Sequence, residues 1–379
     1  MILEIAADEK NRVMATQPSV TAVIVTWNSA SHIRECIESI QKQIFGGVAI
    51  VVVDSQSSDG TPELVEEMSP PVEVVRCDTN VGYREGNRLG MSGRSSDYIV
   101  VLNDDLSLAG NTIDLLVKYM EKHPRVALVT PMVLMQSSPD VMNTAGNRLS
   151  YCGLPSCRGK GMSPRQFNES GPVAAVAGCA FAIRRSVLEK IGGFSVDFGR
   201  YACGWHSSLE DADLSLRAWI AGYEVHYVAD AVVFHKYTQR GMNVQRYAAM
   251  ESGRHLLLLR NLERGTLVRL IPVIVAMELV TLLYAALRGP RWLVARLDIL
   301  RWIVTHREEI RAMRRRIQRL RVVRDREVIS HLDDQIEFAG ALGGGYAART
   351  LQGALTMALH AYRHMFLYGG HAHPIEKNA

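Results

Sequence analysis

Between residues 20 and 102 the chain alternates short, wholly apolar runs with stretches of helical periodicity, and this alternation constrains the fold most. Val20–Thr26 is a β-branched run of strand length, and residues 31–43 then place Ile33, Cys36, Ile37 and Ile40 at helical spacing. Residues 48–53 read as a second strand. Residues 61–68 open a helix with Thr61 followed by Pro62, a proline at the first helical position, and residues 72–75 and 98–102 give a third and fourth strand. Strands this apolar need cover on both faces, so the expected fold is α/β with a mainly parallel central sheet.

In open sheets of this kind ligands bind beyond the carboxyl ends of the strands. Those ends are polar in every case here. Trp27-Asn28-Ser29 follows the first strand, the run from Asp54 through Asp59 to Thr61 the second, Cys77-Asp78-Thr79-Asn80 the third and Asn103-Asp104-Asp105 the fourth. Such a crevice suits a nucleotide base, a ribose and a metal-bound diphosphate. The first turn has no glycine to let backbone amides approach a pyrophosphate, and no Gly-Lys-Ser/Thr phosphate loop follows any strand, so dinucleotide and P-loop chemistry are disfavoured.

Phosphate charge must then be met differently. Asn103-Asp104-Asp105 offers oxygen ligands to a hard divalent cation, Mg²⁺ or Mn²⁺, which can keep positions open for phosphate oxygens. A second acidic cluster, Glu210-Asp211-Ala212-Asp213, stands directly before a helical run and could hold a base. A plainer reading makes these the acidic first turn of a helix, favoured by the macrodipole.

The chain has 379 residues and is 47% hydrophobic, enough for a sizeable core and two or three domains. Its net charge of +4 conceals thirteen arginines between residues 288 and 326. The six cysteines form no C-x-x-C pair and are expected as reduced thiols, and residues 1–17 lack the pattern of a secretory signal. Asn168-Glu169-Ser170 is then a chance match to a glycosylation acceptor.

Several motifs, in order, carry a family resemblance. Val23 to Asn28, Val53 to Thr61, Asn80-Val81-Gly82-Tyr83-Arg84-Glu85-Gly86-Asn87, Leu102 to Asp105, Ala177 to Arg185, Ile191-Gly192-Gly193-Phe194, Glu210 to Leu214 and Ala231 to His235 resemble the successive signatures of glycosyltransferase family 2, in its rhamnosyltransferase-like branch. The resemblance implies a GT-A fold and inverting transfer of a sugar from a dTDP- or UDP-sugar, dTDP-rhamnose among them, to a glycan or polyprenyl-linked acceptor. It further implies that Thr26, Asn28, Asp54, Asp59, Gly82, Arg84, Asn87, Asn103 and Asp104 bind the donor, that Asp105 and His235 hold the metal, and that Asp211, with Glu210 beside it, is the base. Ser195 stands where the family commonly has an acid. The added stretch before Glu210 contains Tyr201 and Trp205, candidates to stack on an acceptor sugar. Residues 147–171, rich in Gly, Ser and Pro, are a candidate mobile flap.

On this reading residues 1–18 are an extension, 19–244 the catalytic domain and 245–379 a helical region serving as a membrane-associating or oligomerisation arm. Residues 267–287 are strongly apolar but contain Pro272 and Glu278, which favours an interfacial or core helix over a spanning one. The arginine stretch, with Trp292, Leu293, Leu297, Leu300 and Ile303, fits an anionic lipid surface, or else an arm packed on the body. Nucleic acid is not expected, a homodimer is plausible, and the expected location is cytoplasmic, peripheral at the cytoplasmic face of the membrane. Two alternatives stand beside the transferase: a polyprenyl-phosphate sugar synthase, and a non-catalytic sugar-nucleotide-binding scaffold.

Overall fold

β1 (Val20–Thr26) alternates its side chains between two cores, Ala22 and Ile24 on one face and Val23 on the other, as the two-residue period of a strand requires. The computed structural model describes residues 17–195, 209–238, 241–337 and 345–367. α1 (Ile33–Gln41) buries Ile33, Cys36, Ile37 and Ile40, the four positions that its spacing singles out. β2 (Ala49–Asp54), α2 (Thr61–Glu66), β3 (Glu73–Arg76) and α3 (Gly82–Met91) complete two further strand–helix units.

α3 lies close on β1 because it presents glycines to the strand. A Cβ on Gly86 would stand 2.6 Å from Val25 Cγ1, and one on Gly90 would fall inside contact distance of Val23 Cγ1 and 3.1 Å from Val53 Cγ2. The glycines cost helix propensity, and the close helix–sheet contact offsets it.

β4 (Tyr98–Asn103) is followed by β5 (Leu106–Leu108), α4 (Thr112–Lys122), β6 (Val126–Met135), β7 (Ser138–Thr144), β8 (Asn147–Leu149), β9 (Pro155–Cys157), β10 (Gly171–Pro172), β11 (Ala180–Arg184) and α5 (Arg185–Ile191). After the undescribed 196–208 come α6 (Glu210–Ile220) and β12 (Glu224–His235). The central order is β10-β12-β6-β11-β4-β1-β2-β3. Six of these eight strands run one way, and only β10 and β11 oppose them. The mainly parallel sheet is thus as expected, and the antiparallel β11 between β4 and β6 is the feature that apolar runs alone do not reveal.

The stretch 147–171, expected as a flap, is built into the body instead. β8 and β9 form a hairpin, and Leu149, Tyr151, Cys152 and Phe167 are buried in the larger core. Beyond β12 the chain is helical: α7 (Val244–Asn261), α8 (Arg264–Arg288), α9 (Pro290–Thr305), α10 (Arg307–Gln318), α11 (Asp325–Ser330) and α12 (Tyr346–Tyr362). Three arginines of the run are taken up by the body, while the other ten are exposed. Arg296 is fully buried against Glu251 and Glu278, Arg314 donates to Leu259 O at 2.6 Å, and Arg321 pairs with Asp325 at 2.9 Å. α10 buries Ile310, Met313 and Ile317, in line with the reading of a packed arm for that segment.

Candidate active site

Parallel register brings the carboxyl ends of β1, β2 and β4 together, with Thr26 opposite Asp54 and Val25 opposite Asn103. Asp54 is 3% exposed. Its Oδ2 accepts from Ser57 N at 3.1 Å, while Oδ1 is buried with no hydrogen-bond partner among the described residues. A buried carboxylate oxygen without a donor is costly, and an imide N–H of a bound base would relieve that cost.

Asn28 takes a left-handed backbone (φ 54°), which asparagine tolerates. It ties two loops together: its N–H donates to Ser57 Oγ and its Oδ1 accepts from Ser58 N, both at 2.8 Å. Asp59 accepts from Ala30 N (3.0 Å), Thr61 N (3.1 Å) and Thr61 Oγ1 (2.5 Å). Burial works against its charge, but these donors together outweigh it and hold its carboxyl below the ordinary value. Asp59 therefore shapes the nucleotide pocket through the turn it closes.

The turn from β4 to β5 carries Asp104 and Asp105. Ser29 Oγ donates to Asp104, and His32 Nε2 stands 3.9 Å from its other oxygen. Burial opposes ionisation of Asp104, yet His32, Ser29 and Thr26 outweigh it and keep the carboxyl below its usual value. β5 pairs antiparallel with the end of β12, His235 opposite Leu106, and so brings His235 Nε2 to 3.2 Å from Asp105 Oδ1 across 130 residues of chain. Asn143 Oδ1 faces His235 Nδ1 at 3.2 Å. Burial disfavours the imidazolium, but Asp105 and Cys179 prevail and push its pKa up to about 10. A carboxylate oxygen and an imidazole nitrogen, with Asn143 fixing the ring, are a donor set that a divalent cation accepts in place of the proton.

Asp211 is the second residue of α6 and is half-buried. Its Oδ2 accepts from Gly178 N and from Asn147 Nδ2, both at 3.0 Å, and Oδ1 from Ala212 N at 2.9 Å. Burial raises its pKa above the usual value, against the pull of these donors. Glu210 beside it is buried, and desolvation raises its pKa to about 8. Asp213 points elsewhere. It is 1% exposed, 2.9 Å from Arg217 Nε and 3.8 Å from Arg260, and accepts from Asn261 Nδ2 at 3.0 Å, so it is a buried counter-ion rather than a surface first-turn acid.

Residues 177–179 link the two halves. Asn103 N donates to Cys179 O at 2.8 Å on the metal side, Gly178 N reaches Asp211 on the other, and Tyr83 Oη donates to Gly178 O. Gly82 holds its turn by donating to Asn80 Oδ1 and Ser55 Oγ, at 3.1 and 3.2 Å, Arg84 reaches Ser195 O at 3.3 Å, and Asn87 is fully buried with its amide on Tyr83 O. Tyr201 and Trp205 lie outside the described residues. His32, Ser29, Asn143, Asn147 and Cys179 enter the site without having been chosen from sequence as site residues. Asn147 sits in a stretch with no periodicity to flag it.

One other cluster resembles a metal site. Ligand-type atoms of Glu251, His255 and Glu278 lie within 4.8 Å of one another. Arg254 and Arg296 occupy both carboxylates, however, with Arg254 2.6 Å from Glu278 and Arg296 3.0 Å from Glu251. Two guanidinium charges there repel a cation and make this a structural ion network.

Residues 21–192 match the model of glycosyl transferase family 2. The chain is 25% identical over 242 residues to N-acetylglucosaminyl-diphospho-decaprenol L-rhamnosyltransferase of Mycobacterium tuberculosis, covering 56% of this chain and 74% of that protein. It is 26% identical over 234 residues to O-antigen chain rhamnosyltransferase RfbN of Salmonella typhimurium, covering 60% and 70%. Its fold is similar to that of S. aureus TarS residues 1–349, solved in complex with UDP-GlcNAc, with a TM-score of 0.52, 15% identity, and coverage of 80% of this chain and 89% of that one.

Proposed function

The chain belongs to glycosyl transferase family 2, and from that premise we propose that it transfers a sugar, with inversion, from a dTDP- or UDP-sugar to a hydroxyl of a lipid-linked glycan. The observation that carries this reading is that Asp211 is held by Asn147 Nδ2 and by Gly178 N, one residue along the chain from Cys179, whose carbonyl accepts from Asn103 N two residues before Asp105.

Asp54 receives the pyrimidine through its unpartnered Oδ1, in a pocket walled by Thr26 and Asn28, with Asp59 fixing the loop behind it. Gly82, Arg84 and Asn87 belong to the loop and helix that close the donor site, and Asn103 and Asp104 lie on its ribose side. Asp105 and His235 would hold Mg²⁺ or Mn²⁺. Such an ion, when bound, neutralises charge on the departing diphosphate.

The Asp211 carboxylate takes the proton from the acceptor hydroxyl as its oxygen attacks the anomeric carbon. The bond to the nucleoside diphosphate breaks on the opposite side, and one displacement inverts the configuration. Glu210, largely protonated at neutral pH, adds little negative charge beside the base, which keeps Asp211 easier to ionise. The likeness to a transferase named for a diphospho-decaprenol acceptor supports a lipid-linked acceptor, and a peripheral position at the cytoplasmic face of the membrane is part of the same proposal. The division into a catalytic unit of residues 19–244 and a helical region of 245–379 is part of the same reading.

The test pairs binding with turnover. Mn²⁺ with the correct donor sugar should raise the melting temperature of the parent and of Asp211→Asn alike. Asp211→Asn should lose about a hundredfold or more in transfer rate, and Asp54→Ala should lose the donor-induced shift. Transfer by Asp211→Asn at the parental rate would exclude this base.

A further inference from the structure

α8 is apolar on two opposite faces, and only one of them is packed. Leu270, Val273, Met277, Thr281 and Ala285 are buried against the body. On the other side Val268, Ile271, Val275, Leu279, Leu283 and Leu287 are each between 51% and 73% exposed, at spacings of three and four residues. They form a continuous stripe of about 28 Å at the rise of an α-helix. A helix apolar on all sides is stable when something covers it, and water leaves this stripe uncovered.

The charges around the stripe identify what fits. Arg264 and Arg269 stand at one end and Arg288 and Arg291 at the other, with the Arg288 guanidinium 4.8 Å from the Trp292 ring and 6.0 Å from that of Tyr284. The single acid of α8, Glu278, is turned into the body, where Arg254, His255 and Arg296 hold it. The exposed side of this helix is therefore apolar in the middle, basic at both ends and free of acids. A second copy packed antiparallel on the stripe would set arginine against arginine. An anionic bilayer meets the apolar centre with acyl chains and the ends with headgroups.

We infer that the exposed face of α8 is a membrane-docking surface, lying in the plane of an anionic bilayer with Val268 to Leu287 inserted among the acyl chains. α8 is long and apolar enough to cross a membrane. Its middle nonetheless carries the Glu278 network to α7 and α9, and a spanning position would strand those charges in hydrocarbon. The inference deepens the proposed reaction by placing the enzyme on the surface that holds a lipid-linked acceptor. It also takes up the interfacial reading of residues 267–287 and names the face that docks, with the arginine stretch of 288–326 contributing Arg288 and Arg291 at one end.

The full chain would be floated with vesicles of phosphatidylcholine alone and of phosphatidylcholine mixed with phosphatidylglycerol. The parent should float with the anionic vesicles and much less with the neutral ones. The double variant Leu279→Gln/Leu283→Gln, altered only at exposed positions, should lose at least about tenfold in partition, whereas Arg307→Ala/Arg311→Ala on α10 should lose little. Transfer to a soluble acceptor analogue should be unchanged in the leucine variant, so failure of docking is separable from failure of the transferase reading. Equal partition of parent and leucine variant, or a parental dimer in sedimentation velocity that the leucine variant abolishes, would overturn the inference.

Discussion

Gly178 N donates to Asp211 Oδ2 at 3.0 Å, and a Cβ on Gly178 would stand 3.1 Å from that same oxygen. The glycine thus aims the carboxylate and makes room for it. Gly178→Ala should displace Asp211 by a few tenths of an ångström and lower kcat by about tenfold to a hundredfold, because proton transfer depends steeply on geometry. The donor KM should change little. Steady-state kinetics that show an unaltered kcat would mean that Asp211 is not positioned through this contact.

Glu210 gives a pH dependence of known sign. Burial raises its folded-state pKa from an ordinary 4.5 to about 8, so between these values the folded chain holds a proton that the unfolded chain has lost. Stability from this group is complete below about pH 4.5 and falls as pH rises toward 8, by an amount on the order of a few kcal/mol. Glu210→Gln should therefore melt several degrees above the parent at pH 8 to 9, and the gap should close near pH 4. Parallel melting curves across that range would contradict a buried, protonated Glu210.

Asp213 is the sole acid that touches both Arg217 and Arg260 among the described residues, and all three are at most 2% exposed. Asp213→Ala leaves two guanidinium groups in the core without it, and should cost about 3–5 kcal/mol. A merely dipole-favoured acid would cost less than about 1 kcal/mol. Urea denaturation distinguishes the two magnitudes.

Gly90 carries the contact of α3 with β1. Gly90→Ala gains helix propensity of about 1 kcal/mol but drives a methyl into Val23 Cγ1, and overpacking of this kind costs about 1–3 kcal/mol. A lower melting temperature is expected, with partial recovery in Gly90→Ala/Val23→Ala. Absence of recovery would place the strain elsewhere.

The sequence by itself determined the strands read over residues 20–26, 48–53 and 98–102, each within a residue of its observed C-terminal end, the helix that buries Ile33 to Ile40, and the acidic residues that follow the second and the last of these strands. These follow from local period, because an apolar run of strand length or a spacing of three and four specifies which face is buried wherever it occurs. The tertiary structure alone decided what meets across the sheet. His235 reaches Asp105 because β5 pairs back on β12, and Asn147 reaches Asp211 because the β8–β9 hairpin begins beside the first turn of α6. The fate of the basic residues was likewise invisible, since an arginine in a helical pattern reads the same whether it is solvated, as Arg311 is, or locked against Glu251 and Glu278, as Arg296 is. Charge is written in the residue, but its compensation depends on which distant segment the fold brings within a few ångströms.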